Sequence, residues 1–157
     1  MNPLLASAHR DVLSAPTPDN AASRDGLINE LQSRGRAAVG AKSWMDAKML
    51  YEKAIEVIES NSATDTPNEK LAMFSGNLSL VLRNMGEFED ARKAATKSTK
   101  ADANYVKGWW RLGQALSGLK RSEDALEAMQ QAKSLDPTNK ALMKECDKLV
   151  KQVEEDK

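Results

Sequence analysis

The sequence predicts an all-α fold, a solenoid of three helix-turn-helix repeats followed by a C-terminal capping helix. The main observation is self-similarity, because small and large apolar residues return at a spacing of 34 residues. The composition agrees with this interpretation. Only 4% of the residues are aromatic, whereas alanine, leucine, lysine and glutamate are abundant, which favours helices that pack closely through small side chains.

The three repeats are predicted at residues 28–61, 72–105 and 106–139. Each repeat divides into two helices, A and B, because a turn signal interrupts its apolar pattern. The three turn signals are Gly40-Ala41-Lys42-Ser43, Met85-Gly86-Glu87 and Lys120-Arg121-Ser122.

Two antiparallel helices approach closely only where a small residue faces the partner helix. We therefore expect Gly113 to meet Ala125, and we expect a bulky residue at Gly35 or Ala125 to unfold its repeat. Ser79 and Ser98 stand where the other repeats favour glycine or alanine.

The segments around the repeats complete the predicted organisation, in which residues 25–154 form the repeat domain. Residues 1–24 are rich in Ser, Ala, Pro and Asn and are predicted to be a flexible arm without an assigned function. Thr66-Pro67-Asn68-Glu69 resembles a capping box, so the second A helix should begin near Pro67. After Pro137, an apolar stripe predicts the capping helix at about residues 139–154. The stripe consists of Leu142, Cys146, Leu149, Val150 and Val153.

Charge and residue types argue against several classes of function. The 23 basic residues balance the 23 acidic ones, so the net charge favours neither nucleic acid nor an acidic membrane as partner. The single cysteine, Cys146, indicates a reducing compartment, and we expect a cytoplasmic protein. The only histidine, His9, lies far from Cys146 in the sequence. We therefore expect no catalytic residue, no metal site and no cofactor.

Polar residues on the predicted A helices favour a binding groove, because these helices line the concave side of such a solenoid. In the third A helix Lys107 and Arg111 are four residues apart and share one face, with Trp110 and Gln114 beside them. In the second A helix Asn77 lies on the corresponding face.

The 34-residue period and these groove residues together resemble the tetratricopeptide repeat (TPR) domains that bind chaperones through a two-carboxylate clamp. The resemblance implies that Asn77, Lys107 and Arg111 hold the terminal carboxylates of a Glu-Glu-Val-Asp tail, as found on seventy- and ninety-kilodalton heat-shock chaperones. In the first A helix this family carries Lys and, four residues later, Asn. This chain carries Gln32 and Arg36 at those positions.

The resemblance implies a co-chaperone or adaptor that captures a chaperone tail. Lys107 and Arg36 would supply charge, Arg111 a planar fork, and Asn77 and Gln32 amide donors. Apolar contacts with the tail are expected from Trp110, Leu80 and Met73.

The departures at Gln32 and Arg36 leave an alternative open. In this alternative the chain is a TPR scaffold whose groove takes an internal acidic or helical segment of a partner that is not a chaperone. A tail peptide with an amidated C-terminus discriminates between the two, because only a clamp requires the terminal carboxylate.

Overall fold

A computed structural model describes residues 8–60 and 68–157. These residues contain helices and no strand, which confirms the predicted all-α fold class. None of the described helices is both long and apolar enough to span a membrane. The helices are α1 (Arg10–Leu13), α2 (Ala21–Gly40), α3 (Trp44–Ser60), α4 (Glu69–Asn84), α5 (Phe88–Ala101), α6 (Val106–Gly118), α7 (Ser122–Leu135) and α8 (Lys140–Glu155).

The chain forms two compact units, residues 1–65 and 66–157. In the first unit α2 and α3 form a helical hairpin, and the short helix α1 contacts both of them. In the second unit α4 pairs with α5 and α6 pairs with α7, while α6 also packs against α4 and α5. Helix α8 packs against α7.

The same turn joins the two helices of every hairpin. One residue of each turn has a positive φ, and these residues are Lys42, Gly86 and Lys120. The backbone N–H that follows donates to a carbonyl five residues back, from Ser43 to Ala38, from Glu87 to Leu82 and from Arg121 to Leu116. This is the bond that closes the last turn of a helix ending in a left-handed residue.

The turn also recurs in register. Gly86 and Lys120 are 34 residues apart, whereas Lys42 and Gly86 are 44 apart, one repeat length plus the ten residues at 62–71. The first hairpin is therefore a further copy of the unit seen in the other two.

Glycines on helices α2 and α6 let their partner helices approach. A Cβ atom at Gly35 would lie 2.4 Å from the ring of Tyr51, and one at Gly113 would lie 2.8 Å from the Met129 side chain. Both distances are too short for a real contact. The Met129 side chain fills the space beside Gly113, and the expected contact of Gly113 with Ala125 remains a prediction.

The two serines at small-residue positions are buried and fully bonded. The Ser79 hydroxyl donates to the Ala91 carbonyl at 2.8 Å, and the Ser98 hydroxyl donates to the Ala72 carbonyl at 2.7 Å. Each bond joins the A helix of the second hairpin to its B helix. Serine is accepted at these positions because its only polar group finds a backbone acceptor on the neighbouring helix.

Part of the predicted N-terminal arm contacts the first hairpin. Residues 1–7 lie outside the described residues, whereas Val12 and Leu13 of α1 are buried. Arg34 on α2 donates two hydrogen bonds to the Asp11 carboxylate, at 2.7 and 2.8 Å. Lys53 on α3 donates to the Ala15 carbonyl at 2.7 Å. The flexibility expected of residues 1–24 remains a prediction.

Two helices of the second unit, α4 and α8, begin directly after an asparagine cap. The Asn68 side chain accepts from the Leu71 N–H at 3.0 Å, and helix α4 begins at Glu69, close to the predicted start near Pro67. Residue 67 and the rest of the segment 61–67 lie outside the described residues. The Asn139 side chain accepts from the Leu142 N–H at 3.2 Å and begins helix α8. Buried Leu142, Cys146 and Leu149 face the core from α8.

Replacing Gly35 by alanine should destabilise the first hairpin, because the new methyl group would overlap the buried Tyr51 ring. Overpacking of this kind lowers the free energy of unfolding by about 1–3 kcal/mol. Urea unfolding of Gly35→Ala measures the loss. Gly26→Ala is the matched control, because no atom lies within 4 Å of its added Cβ. The free energy of unfolding of the control should rise by about 0.5–1 kcal/mol, because alanine loses less backbone entropy than glycine when the helix forms. Equal stability of the two variants would contradict the proposed contact.

The ion pair between Asp11 and Arg34 should make the stability of the first unit depend on acid pH. The hydrogen bonds from Arg34 lower the pKa of Asp11 to about 2, below the value of about 3.9 expected in an unfolded chain. Its stabilising effect is therefore complete above about pH 4 and disappears as the pH falls towards 2.

Thermal unfolding between pH 6 and pH 2.5 tests this dependence. Asp11→Asn should lower the melting temperature at pH 6 and should lower it less at pH 2.5. Asp19→Asn, which removes an exposed carboxylate that forms no ion pair in residues 8–60, should show no such convergence. A constant difference between wild type and Asp11→Asn at all pH values would contradict the role of the pair.

Candidate functional site

Helix α6 presents the predicted groove residues in one row. Lys107, Arg111 and Gln114 are separated by four and three residues, so they lie on one side of the helix. Lys107 is exposed, whereas Arg111 and Gln114 are half-buried. An Nη1 hydrogen of Arg111 is donated to Oε1 of Gln114 across 3.0 Å. The structure thus brings three of the predicted site residues together along α6.

Arg111 is a half-buried, partly desolvated cation without an acidic partner in residues 68–157. Burial lowers its pKa, and the positive charge of Arg83 lowers it further, while Tyr105 acts in the opposite direction. Within residues 68–157 no carboxylate lies within ion-pair distance of Arg111. A desolvated guanidinium gains most from a bidentate anion, because its fork of N–H donors matches a carboxylate.

Tyr105 completes the surroundings of Arg111 and was not predicted from the sequence. A Cβ atom added at Gly76 would lie 3.3 Å from the Tyr105 ring, and one added at Gly108 would lie 3.5 Å from it. The distance from Gly76 is tighter than most real contacts, so glycine at this position leaves space for the ring, whereas the distance from Gly108 is an ordinary contact. Burial raises the pKa of the Tyr105 phenol, so the group stays neutral at pH 7. No regular spacing in the sequence connects Tyr105 to Arg111.

Helix α4 carries the second part of the predicted site. Asn77 and Leu80 are half-buried on α4, which packs against α6. The Leu80 carbonyl accepts a hydrogen bond from the Asn84 side chain at 2.8 Å. Asn77 makes no side-chain hydrogen bond within residues 68–157. Its amide is consequently available to a ligand.

Trp110 packs against the C-terminal hydrophobic cluster, which includes Met129, Leu142 and Leu149. Its indole N–H is buried and has no acceptor among the described residues. The neighbouring Trp109 also packs on this cluster, and its indole N–H donates to the Ala103 carbonyl at 2.9 Å. The expected contact of Trp110 with a ligand remains a prediction.

Gln32 and Arg36 belong to the first unit. Both lie on α2, where Gln32 is half-buried and Arg36 is exposed. Arg36 is near enough to Tyr51 for its charge to oppose the rise of the Tyr51 pKa, which burial causes. The predicted clamp is therefore divided between the two units, and its assembly into one site remains a prediction.

A metal site finds no support in the part of the chain that the structure describes. In residues 8–60 and 68–157 no three histidine, cysteine, aspartate or glutamate side chains are grouped as metal ligands. Burial raises the pKa of the Cys146 thiol, which keeps it protonated and weakens it as a nucleophile.

Solved structures share this fold. The TPR domain of Arabidopsis OM64 superposes with a TM-score of 0.70 and 26% identity, covering 82% of this chain and 98% of that one. The first TPR of Spaghetti (RPAP3), solved with the HSP90 peptide SRMEEVD, gives a TM-score of 0.71 over 80% of this chain and 92% of that one. This chain and the RPAP3 domain are only 17% identical, so their similarity shows the fold alone.

Sequence comparison gives the same family. Heat shock protein STI1 of Saccharomyces cerevisiae is 35% identical over 113 residues, 72% of this chain and 18% of that protein. The small glutamine-rich tetratricopeptide repeat-containing protein 2 of Mycosarcoma maydis is 30% identical over 115 residues, 73% of this chain and 30% of that protein. This chain thus spans less than a third of either relative. The family model for the tetratricopeptide repeat matches residues 75–105 and again residues 106–139. The chain therefore belongs to the tetratricopeptide repeat family.

Proposed function

We propose that this chain captures the acidic C-terminal tail, of the Glu-Glu-Val-Asp type, of a seventy- or ninety-kilodalton heat-shock chaperone. It would act as a co-chaperone or adaptor. The observation that carries this proposal is Arg111, a half-buried guanidinium whose side chain is bonded to the Gln114 amide rather than to a carboxylate. A tail whose last residue is aspartate ends in two carboxylates, and one of them would supply the missing anion.

Each groove residue has a chemical role in this proposal. Arg111 would donate two parallel hydrogen bonds to one carboxylate, and exposed Lys107 would add a point charge one helical turn away. Gln114 would hold the guanidinium in position, because its oxygen already accepts from Arg111. Asn77 would donate its amide from α4. Gln32 and Arg36 would contribute a second amide and a further cation from the first unit.

The relatives support this choice of ligand. One of them is named a heat shock protein, and others are named Hsp70-Hsp90 organising proteins. The RPAP3 repeat domain, which has the same fold, was solved with the tail peptide SRMEEVD. The fold therefore accommodates a peptide of this chemistry, and Arg111 offers the charge that such a peptide requires.

The remaining parts of the proposal follow from this role. Residues 25–154 would be the binding domain, and the chain would work as an adaptor in the cytoplasm rather than as an enzyme. The relatives from fungi are named for their repeats or as heat shock proteins and not for a reaction. Buried Cys146, with its raised pKa, offers no competing chemistry.

A second candidate is an internal acidic or helical segment of another protein. The observation that favours it is Arg36, which is exposed on α2 at a position where clamp domains carry asparagine. An added guanidinium attracts acidic side chains at any point along a partner, and it has no specific need for a chain terminus.

Calorimetric titration with an eight-residue peptide ending in Met-Glu-Glu-Val-Asp tests the proposal. The free acid should bind, whereas its amidated twin should not, because amidation removes one of the two terminal charges. Arg111→Ala should weaken binding about 10- to 100-fold, since a hydrogen bond to a charged group contributes roughly 1.5–3 kcal/mol. Lys107→Ala should weaken binding less, because an exposed point charge is screened by water and salt.

Arg92→Ala is the matched control, because it removes an arginine that is paired with Glu89 on helix α5. This variant should bind the tail as wild type does. Equal binding of the acid and the amidated peptide would instead support the internal-segment alternative. Absence of binding by both peptides would contradict the proposed function.

The proposed role also predicts that Arg111 lowers the stability of the free chain. Replacing a buried, poorly paired charge by an apolar residue of similar length is often stabilising. Arg111→Met should therefore raise the free energy of unfolding by on the order of 1 kcal/mol while it weakens tail binding as Arg111→Ala does. Arg92→Met, which breaks the pair with Glu89, should give no increase. Urea unfolding measures both variants, and a less stable Arg111→Met would identify Arg111 as a structural residue.

A further inference from the structure

A cavity lies beside the α6 row in the second unit. It encloses about 310 Å³ between helices α4 to α8, and we call it the Arg83 cavity. Its polar wall is formed by Arg83, Gln114, Glu145 and Lys148, and Phe88 and Met129 form apolar parts of its lining. The cavity is large enough for one side chain of a bound peptide. Neither Arg83 nor the cavity belongs to the clamp described above.

Gln114 connects the Arg83 cavity to the clamp. Its side chain accepts the hydrogen bond from Arg111 and also lines the cavity. Three residues along a helix correspond to about 4.5 Å, so the cavity begins about one helical turn beyond Arg111. Arg83 is close enough for its charge to lower the pKa of Arg111. The two guanidinium groups are therefore near enough to repel each other.

The charges that line the cavity have an excess of cations. Arg83 and Lys148 are exposed, and Glu145 is the single carboxylate in the lining. In residues 68–157 neither Arg83 nor Lys148 forms an ion pair. Arg83 does lie in the last turn of α4, where a cation offsets the helix dipole. That benefit is opposed by repulsion between Arg83 and Arg111, which an anion placed between them would remove.

We propose that the Arg83 cavity binds an anionic side chain of the same captured tail, upstream of its terminal residue, and that Arg83 determines this specificity. The proposal rests on the proposed function and extends it from the chain terminus to the side chains before it. The ligand group is a carboxylate or a phosphate, because a guanidinium binds both through paired hydrogen bonds.

The distance between the cavity and the clamp limits which side chain can enter. An extended chain advances about 3.3 Å per residue and directs alternate side chains to the same side. A cavity that starts about one helical turn from Arg111 therefore corresponds to the residue about two positions before the terminus. In a Glu-Glu-Val-Asp tail, the second of the two glutamates is at this position.

A double-mutant cycle between Arg83 and these glutamates tests the proposal. Wild type, Arg83→Gln and the control Arg92→Gln are titrated with peptides ending in Glu-Glu-Val-Asp and in Gln-Gln-Val-Asp. In wild type and in Arg92→Gln, the change to glutamine should weaken binding roughly 3- to 10-fold. In Arg83→Gln the same change should alter binding less than about twofold. The control removes one positive charge that is already paired with Glu89.

A third peptide distinguishes the two sources of the anion. In it, phosphoserine replaces the second glutamate of the tail. Tighter binding of this peptide than of the glutamate peptide, lost in Arg83→Gln, identifies a phosphate ligand. Weaker or equal binding of the phosphopeptide, together with an Arg83-dependent loss for glutamine, identifies a carboxylate. Circular dichroism and urea unfolding should show that Arg83→Gln is folded like wild type.

The outcomes separate this inference from the proposed function. If wild type binds the Glu-Glu-Val-Asp peptide but wild type and Arg83→Gln lose the same affinity on the change to glutamine, the Arg83 cavity is not the binding site and the clamp stands. If wild type binds none of the peptides, both proposals are wrong. Coupling between Arg83 and the upstream anion that decreases as salt rises would support the inference.

Discussion

Close contact between paired helices at one small residue is the constraint on which the structure depends. Gly35 admits the Tyr51 ring, and Gly113 admits the Met129 side chain. In the middle hairpin Ser79 stands 34 residues before Gly113, and its hydroxyl bonds to the Ala91 carbonyl instead. A glycine therefore faces a large side chain, whereas the serine is accommodated by a hydrogen bond. The spacing of the helices is kept although the residues differ.

This spacing also determines what the groove can present. Because α6 packs against α4 as well as α5, the ring of Tyr105 lies against Gly76, where an added Cβ would crowd it. Arg111 follows one turn later and is carried into a partly buried position, where its pKa is lowered. The desolvation of this cation is therefore a consequence of helix packing, and the same packing brings Arg83 near it from α4. The packing of α4 against α6 therefore determines the positions of both charges.

The sequence predicted the fold class, the hairpins and the row on α6, because each of these depends on local periodicity. A 34-residue spacing defines the repeats, and a spacing of four residues places Lys107 and Arg111 on one face. These features follow from chain geometry without knowledge of the tertiary contacts. The same reasoning correctly assigned turns to the segments that contain Lys42, Gly86 and Lys120.

The features that were missed depend on contacts between residues distant in the sequence. Asp11 binds Arg34 from 23 residues away, and a helix as short as α1 has no periodicity to reveal it. Arg83 approaches Arg111 only because α4 and α6 pack together. The Arg83 cavity also requires α8, whose position is decided by burial of Leu142 and Leu149. The contact of Met129 with Gly113 was also missed, because the spacing argument considered only small residues on the facing helix.

Some arginines of this chain are paired with carboxylates and others are not, and this difference supports the interpretation of the groove as a site for an external anion. Arg34, Arg92 and Arg121 are each paired with a nearby carboxylate, Asp11, Glu89 and Asp124 respectively. Acidic residues are as numerous as basic ones, so a shortage of carboxylates does not account for unpaired arginines. Within residues 68–157, Arg83 and Arg111 nevertheless lack an acidic partner, although one is half-buried and the two repel each other. A folded chain gains no stability from such an arrangement, and a ligand that brings its own negative charge gains affinity from it. The absence of internal pairing at these two neighbouring arginines therefore supports the proposed binding of an anionic tail.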